Sequence, residues 1–259
     1  MLVLLPPSEG KSVPRRGKPL DLASLSFPGL TDARDEVVDA LVSLCDGDPT
    51  RAAEVLGLGP TQTEEVLRNA ALRDAPTVRA DALYTGVLYD HLDLASLDAA
   101  ARRRATRWLA VTSSVFGLLR PGDRVPAYRL SGDVTLPALG GVAAHWRGAL
   151  DPVAREAAGR GLVVDLRSTT YAAFWRPGPD LAPRVATLRV LQERAGRRSV
   201  VSHFNKATKG RLVRALLEHG EVAATPEALA TLLSDLGWRV EVDTPTRSGT
   251  RLDVVVTDL

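Results

Sequence analysis

The chain contains 259 residues, of which 45% are hydrophobic and 25% charged, and its formal net charge at pH 7 is +2. This composition is typical of a globular protein, and no apolar run approaches the ~18 residues of a membrane span. A single cysteine, Cys45, excludes an intrachain disulfide bond. Residues 1–5 lack a basic leader and precede two prolines, so we expect no signal peptide and a cytoplasmic protein.

The charges are distributed unevenly along the chain. Residues 31–99 contain fourteen acidic residues and five arginines, whereas residues 101–129 contain seven arginines and one aspartate. Residues 184–214 contain nine lysines or arginines and one glutamate. This pattern predicts a local positive cleft that attracts polyanions. Lysine is rare beside 29 arginines, which suggests a specific need for an ammonium group at Lys11, Lys18, Lys206 and Lys209.

The first predicted element is a short buried strand at residues 1–5. The loop that follows, residues 6–12, contains Ser8 and Lys11. Ligands of α/β proteins often bind at the carboxyl ends of strands, so this loop is either a ligand loop or a plain turn. It lacks the glycine spacing of a P-loop.

Two helices are predicted next, at residues 31–45 and 52–58, and a third at residues 61–72. Gly57 and Gly59 break the chain between the last two, and Thr61 is a candidate cap of the third helix. Helix, glycine-rich turn and helix is the outline of a helix-hairpin-helix, whose backbone N–H groups can bind a DNA phosphate. Acidic residues crowd this turn, so a purely structural turn between helices is the alternative.

The most apolar stretch, residues 108–116, predicts a strand buried on both faces, preceded by a tyrosine-bearing turn that includes Tyr84 and Thr85. The chain leaves this strand through a proline- and glycine-containing turn. We expect the segment after this strand to place several hydrogen-bond donors at one edge of the fold, where they can bind a phosphate or carboxylate group. The alternative is that this segment is a solvated basic loop without a ligand. These donors are Arg120, Arg124, Tyr128 and Arg129.

Residues 161–167 predict another buried strand, which carries Asp165 and ends at Ser168. A buried carboxylate needs a partner. Residues 188–191 and 199–204 predict two more strands, the second of which leads into a helix. That helix carries Lys206, Lys209 and Arg211, and two ammonium groups near a helix N-terminus favour a bound anion. Residues 238–242 and 251–257 predict a hairpin. The four histidines lack the spacing of metal ligands, so we expect no metal site; they lie at positions 91, 145, 203 and 219.

Six short segments in this order resemble the YaaA family of bacterial peroxide stress resistance proteins. The resemblance implies one cytoplasmic α/β domain over residues 1–259, with a positive cleft and a helix-hairpin-helix. It also implies binding of double-stranded DNA, and protection against peroxide by limiting free iron and the DNA damage that iron causes. The segments are Leu5-Pro-Pro-Ser-Glu-Gly-Lys11, Leu83-Tyr-Thr-Gly86, Ser113-Ser-Val-Phe-Gly-Leu-Leu-Arg-Pro-Gly-Asp123, Pro126-Ala-Tyr-Arg-Leu130, Val163-Val-Asp-Leu-Arg-Ser168 and Ser202-His-Phe-Asn-Lys-Ala-Thr-Lys-Gly210.

Two functions are compatible with these residues. In the first, the protein binds duplex DNA, and its basic side chains neutralise phosphates. In the second, it is an enzyme that acts on a nucleotide, nucleoside or nucleobase in the same cleft, with Lys11, Tyr84, Asp165 and Lys206 as candidate catalytic residues. No cofactor is expected, and the sequence leaves the oligomeric state open. The candidate binding residues are Ser8, Lys11, Tyr84, Thr85, Arg120, Tyr128, Arg129, Ser168, Lys206, Lys209 and Arg211.

Overall fold

Helices and short strands alternate along the chain in the computed structural model, which describes residues 1–194, 196–200 and 202–257. The described helices are α1 (Thr31–Asp46), α2 (Pro49–Leu56), α3 (Thr63–Ala70), α4 (Ala80–Leu83), α5 (Val87–Leu92), α6 (Ala99–Trp108), α7 (Val142–Ala158), α8 (Thr169–Ala172), α9 (Ser202–His219) and α10 (Pro226–Asp235). The described strands are β1 (Leu2–Leu5), β2 (Val78–Arg79), β3 (Leu109–Ser113), β4 (Gly117–Leu119), β5 (Arg124–Val125), β6 (Thr135–Leu136), β7 (Gly140–Gly141), β8 (Val163–Asp165), β9 (Val185–Arg194), β10 (Arg197–Ser199), β11 (Arg239–Val242) and β12 (Thr250–Val256).

One central sheet organises the fold. Its strand order is β11-β12-β9-β8-β1-β3-β4, and β10 pairs with the carboxyl end of β9. The pairs β12/β9, β9/β8, β8/β1 and β1/β3 are parallel, whereas β11/β12, β9/β10 and β3/β4 are antiparallel. This sheet, mostly parallel and flanked by helices, confirms the predicted α/β class.

The middle strands of the sheet are buried on both faces. Every residue of β1, β3 and β8 is buried, which explains their nearly continuous apolar sequences. Because these three strands are parallel, their carboxyl ends meet at one edge of the sheet. The loops that follow β1 and β8 therefore start side by side, where ligands of α/β proteins commonly bind.

The apolar stretch predicted as one strand at residues 108–116 is divided in the structure. Trp108 ends α6, β3 occupies Leu109–Ser113, and the chain then reverses so that β4 runs back antiparallel to β3. The buried Arg34 of α1 stabilises this reversal by donating to the carbonyls of Phe116 and Leu118, at 3.0 and 2.9 Å. The residue that follows β4, Arg120, is thereby returned to the amino end of β3.

The segment before α9 also differs from its prediction. Residues 199–204 were expected to form a strand, but β10 ends at Ser199 and α9 begins at Ser202; Val201 lies outside the described residues. Apolar β-branched residues favour a strand only where a neighbouring strand is available to pair with them. The helix itself is found as predicted, with Lys206 and Lys209 in its first half.

The predicted pair of helices around the glycine-rich turn is present as α2 and α3. Gly57 ends α2 in the left-handed region, with φ of 63°, which a glycine adopts without strain. The Gly59 N–H donates to Oε1 of Gln62 at 3.0 Å. The prediction that Thr61 caps the second helix is wrong, because Thr61 lies within a 3₁₀ turn, Pro60–Gln62, that comes before α3. Contact of this pair with DNA stays a prediction.

Candidate functional site

A cavity of about 550 Å³ opens at the carboxyl ends of β8 and β1. Five segments contribute to its wall: the loop after β1, the turn into α5, residues 129–131, the segment after β8, and the first half of α9. Its described lining comprises Pro6, Pro7, Ser8, Glu9, Gly10, Lys11, Thr85, Gly86, Val87, Leu88, Tyr89, Arg129, Leu130, Ser131, Leu166, Ser168, Thr170, Tyr171, Asn205, Lys206 and Lys209.

The loop after β1 is held in place by the turn into α5. The Thr85 N–H donates to the Gly10 carbonyl at 3.2 Å, and the Ser12 N–H donates to the Leu83 carbonyl at 2.8 Å. The Tyr89 hydroxyl donates to the Pro6 carbonyl at 2.7 Å. These bonds give a proline-containing loop with little regular structure a defined path, and they fix the backbone from which Lys11 enters the cavity.

Lys11 is the most unusual cation of the cavity wall. Its ammonium Nζ donates to the Ser8 carbonyl at 2.8 Å and lies 4.3 Å from the centroid of the Tyr128 ring. Burial lowers the pKa of Lys11, the nearby Arg129 guanidinium lowers it further, and the resulting pKa is about 7. A substantial fraction of the Lys11 side chains is therefore neutral at physiological pH.

Tyr84 and Tyr128 lie beneath Lys11 and do not line the cavity. Their hydroxyl groups are 3.0 Å apart, and the Tyr128 hydroxyl is also 2.8 Å from Oγ of Ser113. Burial raises the pKa of both tyrosines, so their hydroxyls stay protonated. The two rings pack beneath the Lys11 ammonium, and their buried hydroxyl groups are hydrogen-bonded to each other.

Arg129 reaches the cavity from a segment that α3 holds in register. The buried Asn69 of α3 accepts a hydrogen bond from the Arg129 N–H at 2.9 Å and donates to the Arg129 carbonyl at 2.7 Å. The Arg129 guanidinium lies 3.3 Å from the exposed carboxylate of Glu9. Because exposed pairs of this kind contribute little energy, an anionic ligand can replace Glu9 as its partner.

Two lysines of α9 complete the charged lining. Lys206 is exposed, whereas Lys209 is buried and donates to the Leu166 carbonyl at 2.9 Å. Burial lowers the pKa of Lys209 to about 8, against the opposing effect of the Asp165 carboxylate. The helix brings both cations to the cavity because three residues of helix return a side chain to nearly the same face.

Asp165 lies at the end of β8, outside the cavity lining. Its carboxylate accepts hydrogen bonds from the Arg167 N–H and Nε, at 3.0 and 2.9 Å, and from Nη2 at 2.7 Å. Burial raises the pKa of Asp165, but its pairing with Arg167 lowers it more, so the net shift is downward. The partner that the sequence required for a buried carboxylate is therefore Arg167.

The structure brings together most of the predicted binding residues but not all of them. Arg120 donates instead to the carbonyls of Arg107 and Leu109, at 2.8 and 2.9 Å, near the amino end of β3. Arg211 is exposed on α9 and is absent from the described lining, as are the buried Tyr84, Tyr128 and Asp165. The predicted residues that line the cavity are Ser8, Lys11, Thr85, Arg129, Ser168, Lys206 and Lys209.

The sequence matches a family model described as "Peroxide stress protein YaaA" over residues 1–243. The chain belongs to the YaaA family. It is 55% identical to the UPF0246 protein SCO2297 of Streptomyces coelicolor, covering 99% of this chain and 98% of that protein. It is 41% identical to the UPF0246 protein CE1889 of Corynebacterium efficiens, over 94% and 96% of the two chains. A UPF0246 protein of Cereibacter sphaeroides is 31% identical, over 85% and 87%.

Several lining residues of this YaaA family member were not among the predicted site residues. Tyr89, Ser131, Thr170, Tyr171 and Asn205 all line the cavity. Each lies within six residues of a predicted site residue, so the segments were identified while the individual side chains were not. Oδ1 of Asn205 is buried and has no hydrogen-bond partner among the residues that the structure describes, which leaves an acceptor available at the wall of the cavity.

The described residues include no group of three or more histidine, cysteine, aspartate or glutamate side chains placed to hold a metal ion. The same residues include no helix with the length and apolar character needed to cross a bilayer.

The lowered pKa of Lys11 predicts a pH-dependent stability. Between pH 7 and about 10 the unfolded chain binds more protons at this side chain than the folded chain, because the unfolded pKa is near 10.4. The free energy of unfolding should therefore rise with pH, by up to about 1.4 kcal/mol per pH unit. Urea unfolding at pH 6.5 and 8.0 measures it: wild type should gain about 1 kcal/mol relative to Lys11→Met. An equal pH response in both proteins would contradict the partly buried position of Lys11 in the cavity wall.

Proposed function

We propose that this member of the YaaA family acts in the peroxide stress response, in the cytoplasm, by binding a phosphate-bearing ligand the size of one nucleotide in the cavity. The supporting observation is the convergence of four cations from three distant parts of the chain: Lys11, Arg129, Lys206 and Lys209. Glu9 is the one acidic residue among the described lining, so the cavity carries an excess of positive charge.

The size and polarity of the cavity support a small ligand. A volume of about 550 Å³ lies within the range of about 300–1,000 Å³ typical of small-molecule sites. The hydroxyl groups of Ser168 and Thr170 line it beside the cations and can donate to phosphate oxygens, while the Ser8 hydroxyl donates to the Gly10 carbonyl. Tyr171 adds an aromatic ring that a base or sugar can contact, and burial raises the pKa of its hydroxyl to about 12, so this group is a donor at neutral pH.

Double-stranded DNA is the second candidate ligand. One observation favours it: Asn69 links α3, the second helix of the predicted helix-hairpin-helix, directly to the backbone of Arg129 at the cavity. A duplex bound by that helix pair would lie close to the cations of the cavity. If DNA is the ligand, the role we propose for the protein is the one that the family resemblance implies: it limits free iron and the DNA damage that iron causes.

Two binding measurements separate these candidates. Calorimetric titration with AMP, ribose 5-phosphate and adenosine tests the small ligand: the two phosphate compounds should bind and adenosine should bind more weakly. Fluorescence anisotropy with a short labelled duplex, at several salt concentrations, tests DNA, for which log affinity falls by about 0.9 per phosphate contacted for each unit of log salt concentration. Binding of AMP without a shift of the duplex would select the small ligand, and the reverse would select DNA.

Replacing the two more accessible cations should weaken phosphate binding. We expect Arg129→Gln and Lys206→Gln each to reduce AMP affinity about tenfold or more, since a hydrogen bond to a charged group contributes about 1.5–3 kcal/mol. Arg211→Gln is the matched control, because Arg211 is an exposed cation of the same helix outside the described cavity lining. An equal loss in Arg211→Gln would mean that overall charge, not the cavity, attracts the ligand.

A further inference from the structure

The amine of Lys11 differs from the other cations of the cavity in its partners. Nζ donates to two main-chain carbonyls, of Ser8 at 2.8 Å and of Glu9 at 3.4 Å. No ion pair joins it to a carboxylate among the described residues, whereas Arg129 pairs with Glu9. Lys11 is therefore an amine in a cavity wall, largely removed from water and without a counter-ion.

The surroundings of Lys11 favour its neutral form. Burial disfavours the ammonium, and so do Arg129 and Arg68, while the carboxylates of Glu9 and Glu65 oppose them. The rings of Tyr128 and Tyr84 lie at 4.3 and 5.8 Å from Nζ, and neither tyrosine is ionised at neutral pH. The net result is an amine that is partly free base near pH 7, which is the reactive form of lysine.

The two other lysines of the cavity are placed differently. Lys206 is exposed to solvent. Lys209 donates to the Leu166 carbonyl; burial lowers its pKa to about 8, and the nearby Asp165 carboxylate opposes that shift. The cavity thus combines one amine available as a nucleophile with ammonium groups available to bind an anion or supply a proton. Burial lowers the pKa of both Lys11 and Lys209, and perturbed pKa values of this kind are common at functional sites.

We propose that Lys11 is a nucleophile that forms an imine with the carbonyl group of a phosphorylated aldehyde or ketone bound in this cavity. This inference rests on the phosphate-binding function proposed above and specifies the chemical class of the ligand. The structural basis is the position of Nζ in the cavity wall, on the face of the Tyr128 ring and beside Arg129. Among the described residues its hydrogen-bond partners are main-chain carbonyls.

The reaction requires no oxidant or reductant. The Nζ lone pair attacks the carbonyl carbon and forms a C–N bond, while a proton moves from nitrogen to the former carbonyl oxygen and gives a carbinolamine. The hydroxyl group then leaves as water after accepting a proton, and the nitrogen lone pair forms the C=N bond of an iminium ion, whose N–H proton returns to the proton donor to give the imine. The ammonium of Lys209, which lines the same cavity, can be this proton donor.

Reductive trapping tests this proposal directly. Pyridoxal 5′-phosphate, an aldehyde that carries a phosphate, is mixed with the full-length protein and reduced with borohydride, which converts an imine into a stable secondary amine. The chain has only four lysines, so tryptic mapping identifies the modified residue without ambiguity. Modification of Lys11 blocks cleavage after it, which distinguishes it from modification of the N-terminal amine in the same peptide.

We expect one equivalent of label, on Lys11, with a rate that rises with pH and has a midpoint near 7. The exposed Lys18 should react at least tenfold more slowly at pH 7, because it lies outside the described cavity lining and gains nothing from binding of the phosphate group there. Lys11→Arg keeps a positive charge and should lose the label, while Lys18→Arg should keep it. Label spread over all four lysines, or a midpoint near 10, would overturn the proposal.

The same experiment separates this inference from the proposed function. If AMP binds in the calorimetric titration but Lys11 is never trapped, the phosphate site stands and the imine chemistry is wrong. If Lys11 is trapped equally fast by pyridoxal, which lacks the phosphate, and AMP gives no protection, the nucleophile stands and phosphate recognition is wrong. Faster trapping by the phosphate compound together with protection by AMP supports both.

Discussion

Replacing Asp165 with asparagine is expected to lower the free energy of unfolding by about 3–5 kcal/mol. The side chains of Asp165 and Arg167 are 9% and 1% exposed, and they are joined by two hydrogen bonds, at 2.9 and 2.7 Å. The asparagine variant keeps the shape of the side chain but leaves the Arg167 guanidinium buried without a counter-charge. It also removes the carboxylate that supports the charge of Lys209. Urea unfolding at pH 7 measures the loss.

Asp180→Asn is the matched control, because Asp180 also pairs with an arginine, Arg155, but its side chain is 64% exposed. Exposed pairs contribute about 0–1 kcal/mol, so this variant should unfold almost as wild type does. The pairing with Arg167 lowers the pKa of Asp165. The pair therefore contributes to the free energy of unfolding above the unfolded pKa near 3.9, and this contribution is lost as the pH falls through the folded pKa. If Asp165→Asn costs no more than Asp180→Asn, the buried pair does not stabilise the fold.

Gly210→Ala is expected to destabilise the protein by about 3 kcal/mol, the upper part of the range for overpacked sites. A Cβ atom at Gly210 would lie 2.3 Å from the Leu88 carbonyl oxygen and 3.0 Å from the Leu92 nitrogen, so α5 and α9 would have to separate. The same movement would displace Lys206 and Lys209, which follow the axis of α9. We therefore expect a lower melting temperature together with weaker binding of the phosphate ligand.

The same chemical change at Gly148, Gly148→Ala, is expected to raise the stability of the protein instead of lowering it. Gly148 lies within α7, and a Cβ added there meets no described atom within 4 Å beyond the helix's own backbone and the two adjoining residues. Alanine is favoured over glycine in a helix by about 1 kcal/mol, so this variant should be more stable than wild type. Two alanine substitutions within helices should thus change stability in opposite directions. A stabilising Gly210→Ala would show that α5 and α9 do not pack as closely as the structure has them.

Together these variants connect the stability of the fold with the geometry of the site. Asp165 and Gly210 hold the end of β8 and the first half of α9 in place, and the cavity lies between those two elements. Neither residue lines the cavity among the described side chains. Loss of ligand binding in either variant would therefore report a displaced wall, whereas the same loss in Arg129→Gln would report a lost contact.

The sequence by itself determined the elements whose signal is local. Nearly continuous apolar runs predicted the strands found as β1 and β8, because a strand buried between parallel neighbours needs apolar side chains on both faces. The spacing of Lys206 and Lys209 predicted that both side chains share one face of a helix, and both line the cavity. Six short motifs in order predicted the YaaA family, which the comparison over residues 1–243 confirms.

Only the tertiary structure decided which of the predicted cations meet. Arg120 lies outside the site because the chain reverses between β3 and β4. This reversal depends on remote side chains as well as on turn residues, since Arg34 donates to the Phe116 and Leu118 carbonyls and the Trp146 indole N–H donates to the Ser114 carbonyl at 2.7 Å. The protonation state of Lys11 depends on its contacts with Tyr128 and Arg129, which are distant from it in the sequence. Local patterns specify periodicity and charge, but desolvation and the identity of neighbouring charges arise only when remote segments pack together.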